Sequence, residues 1–293
     1  VEALPTERGS VTRQMGGGET VQIKVMQSPG FRSDAVSPAF CREAVAIIHA
    51  QAAATNPKPL FLYYASPIPH QPWAPSKAFK GKSGLGDYTD FMMQLDDVVG
   101  QINTALKDTG LADHTLLLFT SDNGPGPWAV KMMVEVGHAA SGGLRGHKAH
   151  VWEGGHRVPF VAKWPGRVPA GAVSDATING TDLFATFASM LGIDGAKAYP
   201  GSAPDSVSFW AHLLNPEKPH HRPPMMHRQG IRAGDWKLVH PGRYKEGHTA
   251  AAFQLYDLGK DRAEGVDVSE RYPERVDELF EAYRRFTEAR TLK

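Results

Sequence analysis

The chain has 293 residues, a mass of 31.9 kDa and a formal net charge of +1, from 32 basic and 31 acidic side chains. This balance argues against a nucleic-acid-binding protein. Hydrophobic residues make up 41% and charged residues 22%, which excludes global disorder. The single cysteine, Cys41, excludes an intramolecular disulfide, and no apolar run reaches the roughly 20 residues that span a bilayer.

The first 35 residues are rich in glycine, serine and threonine and predict an irregular segment. Within them, Thr20–Val25 alternates between polar and apolar residues as a short strand does. The sequence begins without the basic and apolar regions of a signal peptide, so it leaves the cellular compartment open.

A helix and a strand are predicted next. Ser37 and Pro38 are typical of a helix start, and the helix is expected to end near Asn56. The apolar and aromatic stretch Leu60–Ala65 predicts a buried strand of the kind found in parallel sheets. A proline-rich loop that contains His70 follows it.

A helix followed by a strand is predicted a second time. Residues 88–109 carry apolar side chains at helical spacing, and Gly110 is a plausible helix stop. Thr115–Thr120 predicts a second buried strand. Strand, helix and strand in this order predict an α/β fold with a mixed central sheet flanked by helices.

The α/β domain is predicted to cover residues 36–221, with a further strand at Val158–Trp164 and a helix at 181–192. From residue 222 the pattern changes. Two short strands surround Ala233–Asp235, a strand is predicted at 253–258, and residues 273–290 form an amphipathic helix. Residues 222–293 are therefore expected to form a small α+β subdomain.

Polar residues follow the second predicted strand. Asp122 and Asn123 offer two hard oxygen ligands to a divalent cation, and Gly124 permits a tight turn. Ligands in α/β sheets bind at the carboxyl ends of strands, where these residues lie. An Asx turn with a glycine hinge explains the same residues without a ligand.

The segment from residue 137 to 157 is the most polar of the chain, with four histidines, two arginines and one lysine among glycines. Such a loop is suited to binding an anion such as sulfate or phosphate, and a solvated loop is the alternative. His147 and His150 invite a zinc assignment, but neither cysteine ligands nor an H-E-x-x-H pattern supports it.

Taken together, these segments resemble the sulfatase family, arylsulfatase-like enzymes within the alkaline-phosphatase-like superfamily. The matching blocks stand in the family's order over roughly residues 35 to 290. They are Pro59–Ala65, Pro69–Pro72, Tyr88–Gly100, Thr115–Gly124, Leu144–Lys148, Trp152–Pro159, Trp164–Gly166, Thr181–Phe184, Ile231–Leu238 and Leu255–Leu258.

The resemblance implies a metal-dependent sulfuric ester hydrolase. By the family's pattern, Asp122 and Asn123 would ligate Ca²⁺ or Mg²⁺, and Lys148 would hold the sulfate. His70 would contact the sulfate or the leaving-group oxygen. His70 and Lys148 are thus the catalytic and substrate-binding candidates, with His138 as a further substrate-binding candidate.

The family's nucleophile is a formylglycine made within a C/S-x-P-x-R motif, and this motif is absent from the sequence. Cys41 lacks the proline and arginine at the required spacing, and no apolar strand ending in paired aspartates precedes residue 60. The chain is therefore expected to be a sulfatase part that lacks the amino-terminal portion, is inactive alone, and is complemented by an amino-terminal segment.

Two alternatives remain open from the sequence. The chain could be a non-catalytic protein that binds sulfated ligands or a partner chain, or a phosphate or phosphonate ester hydrolase of the same superfamily. Aryl sulfates and sulfated glycans are both open as substrates, because pocket loops decide that choice. Neither a nucleic acid nor a membrane span is expected.

Overall fold

We analysed a computed structural model that describes residues 7–14, 20–242 and 249–291. The chain divides into two compact units. The first comprises residues 1–115 and 131–137, and the second comprises residues 116–130 and 138–293. The domain boundaries expected from the sequence, near residues 35 and 221, stay predictions.

The first unit contains an antiparallel hairpin of β1 (Glu7–Gln14) and β2 (Thr20–Gln27). Its register places Glu7 opposite Gln27 and Gln14 opposite Thr20. The prediction of a strand at Thr20–Val25 is confirmed by β2. The prediction of an irregular segment over residues 1–35 did not include β1, whose residues pair along their whole length with β2.

Two long helices follow in this unit and pack against each other, α1 (Ser33–Ala53) and α2 (Asp87–Asp108). The predicted start of α1 at Ser37 is wrong, because the helix begins at Ser33 and contains Pro38. Ser37 belongs instead to the buried face, which also holds Cys41, Ala44 and Ile48 at intervals of three or four residues. Burial of this face against another helix outweighs the preference of serine for a helix start.

The prediction for α2 is confirmed to within a residue at each end. Phe91, Val98 and Leu106 are buried. Gly110 has a φ of +71°, the left-handed conformation that commonly ends a helix and that glycine adopts without steric cost.

The predicted buried strand at Leu60–Ala65 is not formed. The segment lies in an irregular conformation, and no strand among residues 7–14, 20–242 and 249–291 pairs with it. Phe61 is 75% exposed and Tyr63 81% exposed. An apolar stretch becomes a strand only where a neighbour supplies the other side of the hydrogen-bond ladder. The predicted strand–helix–strand unit is therefore absent, although the mixed α/β class is confirmed.

The second unit begins with β3 (Leu117–Thr120), which pairs antiparallel with β4 (Phe160–Lys163). Both strands were predicted. Pro159 lies just before β4, so its missing N–H removes no bond from the ladder. The remaining helices before residue 222 are α3 (Pro127–Glu135), whose residues from 131 onwards belong to the first unit, and α4 (Glu153–His156), α5 (Asp182–Met190), α6 (Gly195–Ala198) and α7 (Trp210–Leu214).

The rest of this unit is a four-stranded antiparallel sheet covered by one helix. Its elements are β5 (Met225–His227), β6 (Gly230–Ala233), β7 (Trp236–Val239), β8 (Gln254–Asp257) and α8 (Pro273–Thr291). The strands lie side by side in the order β5 to β8, and α8 packs on β6 and β7. The sequence predicted the helix and three of these strands, but not β5 as a separate strand.

Apolar side chains of the sheet and of α8 form one buried core. Its members are Ile231, Leu238, Phe253, Leu255, Val276, Leu279 and Tyr283. Alternate residues of the strands and every third or fourth residue of the helix face this core, which explains why the sequence pattern predicted these elements correctly. Among the described helices, none is long and apolar enough to cross a membrane.

Candidate functional site

The first part of the candidate site is the turn after β3, which we call the Asp-Asn-Gly turn (Asp122–Gly124). Asp122 is exposed, Asn123 is half-buried and Gly124 is buried. The Asn123 side-chain nitrogen donates to the Gly124 carbonyl over 3.0 Å, which leaves the amide oxygen for a ligand. The turn thus presents one carboxylate and one amide oxygen at the end of a strand.

These two oxygens fit a hard cation such as Ca²⁺ or Mg²⁺ in kind, but not in number. Ca²⁺ takes about 6–8 oxygen ligands, and Mg²⁺ near-octahedral coordination that water partly supplies. Within the part of the chain that the structure describes, no group of three or more histidine, cysteine, aspartate or glutamate residues could hold a metal ion. Two oxygens by themselves would therefore leave most of the coordination of such an ion to other ligands.

The second part of the site is the loop that carries Lys148, which we call the lysine loop (Leu144–Arg157). Its backbone is bonded directly to the Asp-Asn-Gly turn and the residue after it. The Lys148 amide donates to the Pro125 carbonyl over 2.9 Å, and the Gly124 amide donates to the Gly155 carbonyl over 3.0 Å. The structure thus brings Asp122, Asn123 and Lys148 into one assembly within the second unit.

Glycines make this close approach possible. A Cβ atom on Gly124 would lie 1.9 Å from the Gly154 carbonyl oxygen, and one on Gly155 would lie 2.3 Å from the His150 carbonyl oxygen. Any side chain at either position would collide with backbone. Gly124, Gly154 and Gly155 are therefore sites of backbone-to-backbone contact.

Three histidines accompany the lysine loop. The His147 and His150 rings lie 3.9 Å apart between centroids, and His147 Nδ1 lies 2.9 Å from the Lys148 carbonyl oxygen. Burial, with the nearby His147 and Arg228, lowers the pKa of His150 and favours its neutral form. His138 is exposed in the same unit, in the turn that follows α3. The zinc assignment gains no third ligand from the described residues.

His70 belongs to the first unit and is exposed there. Its amide donates to the Pro67 carbonyl over 2.9 Å, and its Nδ1 lies 2.7 Å from the Gln71 carbonyl oxygen. Because a carbonyl only accepts, Nδ1 carries the proton. In the neutral ring Nε2 therefore has a lone pair, and the ring donates from Nε2 only when it is protonated.

A buried group of charged side chains lies behind the lysine loop, and sequence reasoning did not find it as a group. We call it the Glu153 cluster, after the residue at its centre. Glu153 is fully buried and contacts Lys237 at 2.9 Å and Arg232 at 3.1 Å. Lys237 also lies 2.7 Å from Glu264, another fully buried carboxylate. The signal in the sequence that could have revealed this group is Lys237, a charged residue between the apolar residues of a predicted strand.

The electrostatics of this cluster favour the ionised form of Glu153. Burial raises its pKa, but the hydrogen bond to His156 and the charges of Lys237 and Arg232 outweigh burial and bring the pKa well below its usual range. The His156 ring stacks on His227 with centroids 3.6 Å apart. Burial and the neighbouring positive charges lower the pKa of His227 to about 3, so that histidine is neutral at physiological pH.

Comparison with known proteins identifies the family. The family model described as Sulfatase matches residues 14–193, and the chain therefore belongs to the sulfatase family. The chain is 33% identical over 242 residues to an N-acetylgalactosamine-6-O-sulfatase of Bacteroides thetaiotaomicron, covering 76% of this chain and 46% of that protein. It is 41% identical over 135 residues to human arylsulfatase A, covering 46% of this chain and 25% of that protein.

Solved structures agree with the fold. A structure from a study of glycosaminoglycan metabolism by Bacteroides thetaiotaomicron has a TM-score of 0.75 and 27% identity, covering 98% of this chain and 64% of the other. A structure titled as Ps i-CgsB in complex with k-i-k-neocarrahexaose has a TM-score of 0.71 and 25% identity, covering 89% of this chain and 57% of the other. The chain spans about half or less of the length of the curated relatives named above.

Proposed function

We propose that this chain provides the sulfate-binding part and half of the metal-binding part of a sulfuric ester hydrolase site. The observation that carries the proposal is the pair of backbone hydrogen bonds between the Asp-Asn-Gly turn, with Pro125 after it, and the lysine loop. They join the backbone that carries Lys148 to the turn that carries Asp122 and Asn123, and an ammonium group with two hard oxygens suits the chemistry of an anionic ester.

In this proposal Lys148 binds a sulfate oxygen. Sulfate ester cleavage moves negative charge onto the leaving oxygen, and a fixed ammonium group stabilises that charge. His70 donates a proton to the leaving oxygen when it is protonated, or a hydrogen bond to the sulfate. His138 is a further contact to the substrate.

Asp122 and Asn123 would hold Ca²⁺ or Mg²⁺ as two of its ligands. Such an ion, when bound, polarises an oxygen of the ester and neutralises part of its charge. Because these residues supply only two oxygens, we expect this chain alone to bind Ca²⁺ weakly.

The nucleophile is not part of the proposal for these 293 residues, since the sequence has no C/S-x-P-x-R motif. We therefore expect no turnover of an aryl sulfate by this chain alone. A complementing amino-terminal segment that carries the motif would supply the nucleophile. The exposure of the apolar segment Leu60–Tyr63 supports such a partner, because a segment that packs on it would cover these side chains.

We propose a sulfated sugar as the first substrate class to test. The relative with 76% coverage of this chain is named an N-acetylgalactosamine-6-O-sulfatase, and five mammalian relatives at 36–39% identity are named N-acetylgalactosamine-6-sulfatases. Aryl sulfates are the second class, after arylsulfatase A.

The proposal is tested by calorimetric titration of the chain with sodium sulfate and with sodium phosphate. We expect sulfate to bind, and Lys148→Met to weaken binding at least about tenfold, since a charge-assisted contact contributes 1.5–3 kcal/mol. Lys218→Met is the matched control, because Lys218 is an exposed lysine in the loop after α7. Equal loss in both variants, or no binding to the unaltered chain, would reject the site.

The same titration separates the alternatives. Tighter binding of phosphate than of sulfate would favour a phosphate or phosphonate ester hydrolase. The non-catalytic ligand-binding protein would be favoured by two results together. Sulfate would bind through Lys148, and no turnover would appear after a segment that carries the missing motif is supplied.

A further inference from the structure

We infer that the four-stranded sheet of β5 to β8 positions the Asp-Asn-Gly turn and the lysine loop through the Glu153 cluster, with Lys237 as the positioning residue. The inference concerns the geometry of the Asp-Asn-Gly turn and the lysine loop, and its consequence for sulfate binding rests on the proposed function. Lys237 touches neither Lys148 nor Asp122 in the contacts described above, and it acts through Glu153.

Lys237 connects two carboxylates from distant parts of the chain. It lies on β7, is 1% exposed, and donates to Glu153, which precedes it by 84 residues. Its second partner, Glu264, also accepts a hydrogen bond from the Glu153 amide over 2.6 Å. The start of α4 is therefore held at both its side chain and its backbone by residues of the C-terminal subdomain.

A second connection runs through Arg145 at the start of the lysine loop. Its guanidinium stacks on the Trp152 ring at 3.6 Å and donates to the Glu264 carbonyl over 2.9 Å. Glu264 has a φ of +56°, a left-handed conformation that is strained for a residue with a side chain. In this conformation both the carboxylate and the carbonyl of Glu264 accept hydrogen bonds from the lysine loop.

From Glu153 the constraint passes to the candidate site within two residues. Gly154 donates to the Arg145 carbonyl over 2.8 Å, which closes the lysine loop on itself. Gly155 accepts from the Gly124 amide, which fixes the Asp-Asn-Gly turn against the loop. A shift of Glu153 would therefore move both turns, since Gly154 and Gly155 are closely surrounded by backbone.

Stability alone does not explain this cluster. Burying charges costs desolvation, and well-packed apolar side chains in place of a buried ion pair often leave stability equal or improve it. Two buried carboxylates and two buried cations instead define one geometry, because each of the four groups has a charged partner at 2.7–3.1 Å. Fixed geometry is what a site for an oxyanion needs.

The test compares Lys237→Met with Arg222→Met by amide hydrogen exchange on the whole chain. Arg222 pairs at 3.0 Å with Asp182, a fully buried carboxylate in the same unit, so its loss removes a comparably buried ion pair away from the turns. Protection of the Gly124 and Lys148 amides is measured relative to amides of the β6–β7 ladder, which corrects for any loss of global stability.

We expect this relative protection to fall about tenfold in Lys237→Met and to stay within about twofold in Arg222→Met. Lys237→Arg, which keeps the charge, is expected to restore most of it. If Lys237→Met does not fold, Arg145→Met takes its place, with a fall of about threefold. The effect is smaller because Arg145 is exposed, and among the described residues its guanidinium donates to the Glu264 carbonyl and the Tyr256 hydroxyl. Equal relative protection in the Lys237 (or Arg145) and Arg222 variants would overturn the inference.

Sulfate titration of the same variants keeps this inference separate from the proposed function. If the unaltered chain binds no sulfate while Lys237→Met still loosens the two amides selectively, the inference stands and the sulfate site is wrong. If sulfate binds through Lys148 and Lys237→Met changes neither amide protection nor sulfate affinity, the sulfate site stands and the positioning role is wrong.

Discussion

Two short stretches of this chain, β8 and the segment Leu60–Tyr64, both contain a leucine followed by a tyrosine but have opposite environments. In β8, Leu255 is 0% exposed and Tyr256 is 2% exposed. In the segment Leu60–Tyr64, Phe61 is 75% exposed and Tyr63 is 81% exposed. Residue type does not separate the two stretches, since both combine leucine with aromatic residues.

The difference lies in what surrounds each stretch. β8 has β7 beside it to complete the ladder, and α8 contributes to the core that receives Leu255. The segment Leu60–Tyr64 has no strand partner among the described residues. An apolar strand pattern therefore shows that a segment can form a strand. Whether the strand forms depends on the presence of a neighbouring strand that pairs with it.

The largest effect that sharpens this comparison is expected from Leu255→Ala. Removing a fully buried leucine side chain leaves a cavity and costs about 2–5 kcal/mol of unfolding free energy. Leu60→Ala is the matched control, because Leu60 is 45% exposed and should cost less than about 1 kcal/mol. Denaturant unfolding measures both, and equal losses would contradict the contrast between the two stretches.

A smaller effect is expected from Gly124→Ala in the Asp-Asn-Gly turn. The added methyl group would collide with the Gly154 carbonyl, so the two turns must separate at a cost of about 1–3 kcal/mol. Gly126→Ala is the control, because a Cβ there meets nothing within 4 Å. Urea unfolding measures the stabilities and sulfate titration the site. The expectation fails if both variants behave alike.

The next effect is a dependence of stability on pH through His227, which faces His156, Lys237, Arg228 and Glu153. Its pKa is lowered from 6.5 to about 3 in the folded chain. As pH falls from about 6.5, the unfolded chain takes up a proton that the folded chain does not, so stability falls by up to roughly 1.4 kcal/mol per pH unit.

His227→Phe keeps a ring against His156 and removes the titration, so it should flatten this slope between about pH 6.5 and 4.5. The two slopes are compared only at pH values above the usual pKa of a glutamate. At lower pH, Glu153 adds a second loss of stability, because its pKa is lowered in the folded chain. His150 and His220, whose pKa values burial also lowers, keep a shallower slope in both proteins. Identical slopes with and without His227 would refute the account.

The smallest change in stability is expected from the double substitution Phe61→Ser and Tyr63→Ser. Both side chains are exposed, so the unfolding free energy should change by less than about 0.5 kcal/mol per site. Apolar exposure favours association, and the variant should self-associate less in sedimentation velocity measurements. Pronounced destabilisation would mean that these side chains are packed in solution.

Where the neighbours of an element lie close in sequence, the sequence predicted the structure. The hairpin of β6 and β7, strand β8 and helix α8 were all predicted, because together they form their own core. The predictions of a strand at Leu60–Ala65 and of a helix start at Ser37 were wrong, since both depend on contacts with another element that the local pattern does not contain. For Ser37 the deciding fact is its burial within α1.

The candidate site divides in the same way. Asp122, Asn123 and Lys148 were predicted from residue type and motif order. The structure joins the segments that carry them through backbone hydrogen bonds, and their roles stay predictions. Lys237 and Glu264 were missed because their partners are distant in sequence, and only the folded chain places their charges against Glu153.

The most direct test of the account is a sulfate titration followed at the backbone amides of Gly124 and Lys148 by heteronuclear NMR. We predict that both amide resonances shift together with one saturation curve, because one assembly binds the anion, and that Lys148→Met removes the shared response. Shifts that saturate at different sulfate concentrations, or shifts confined to other parts of the chain, would contradict the claim that these two turns form one oxyanion-binding site.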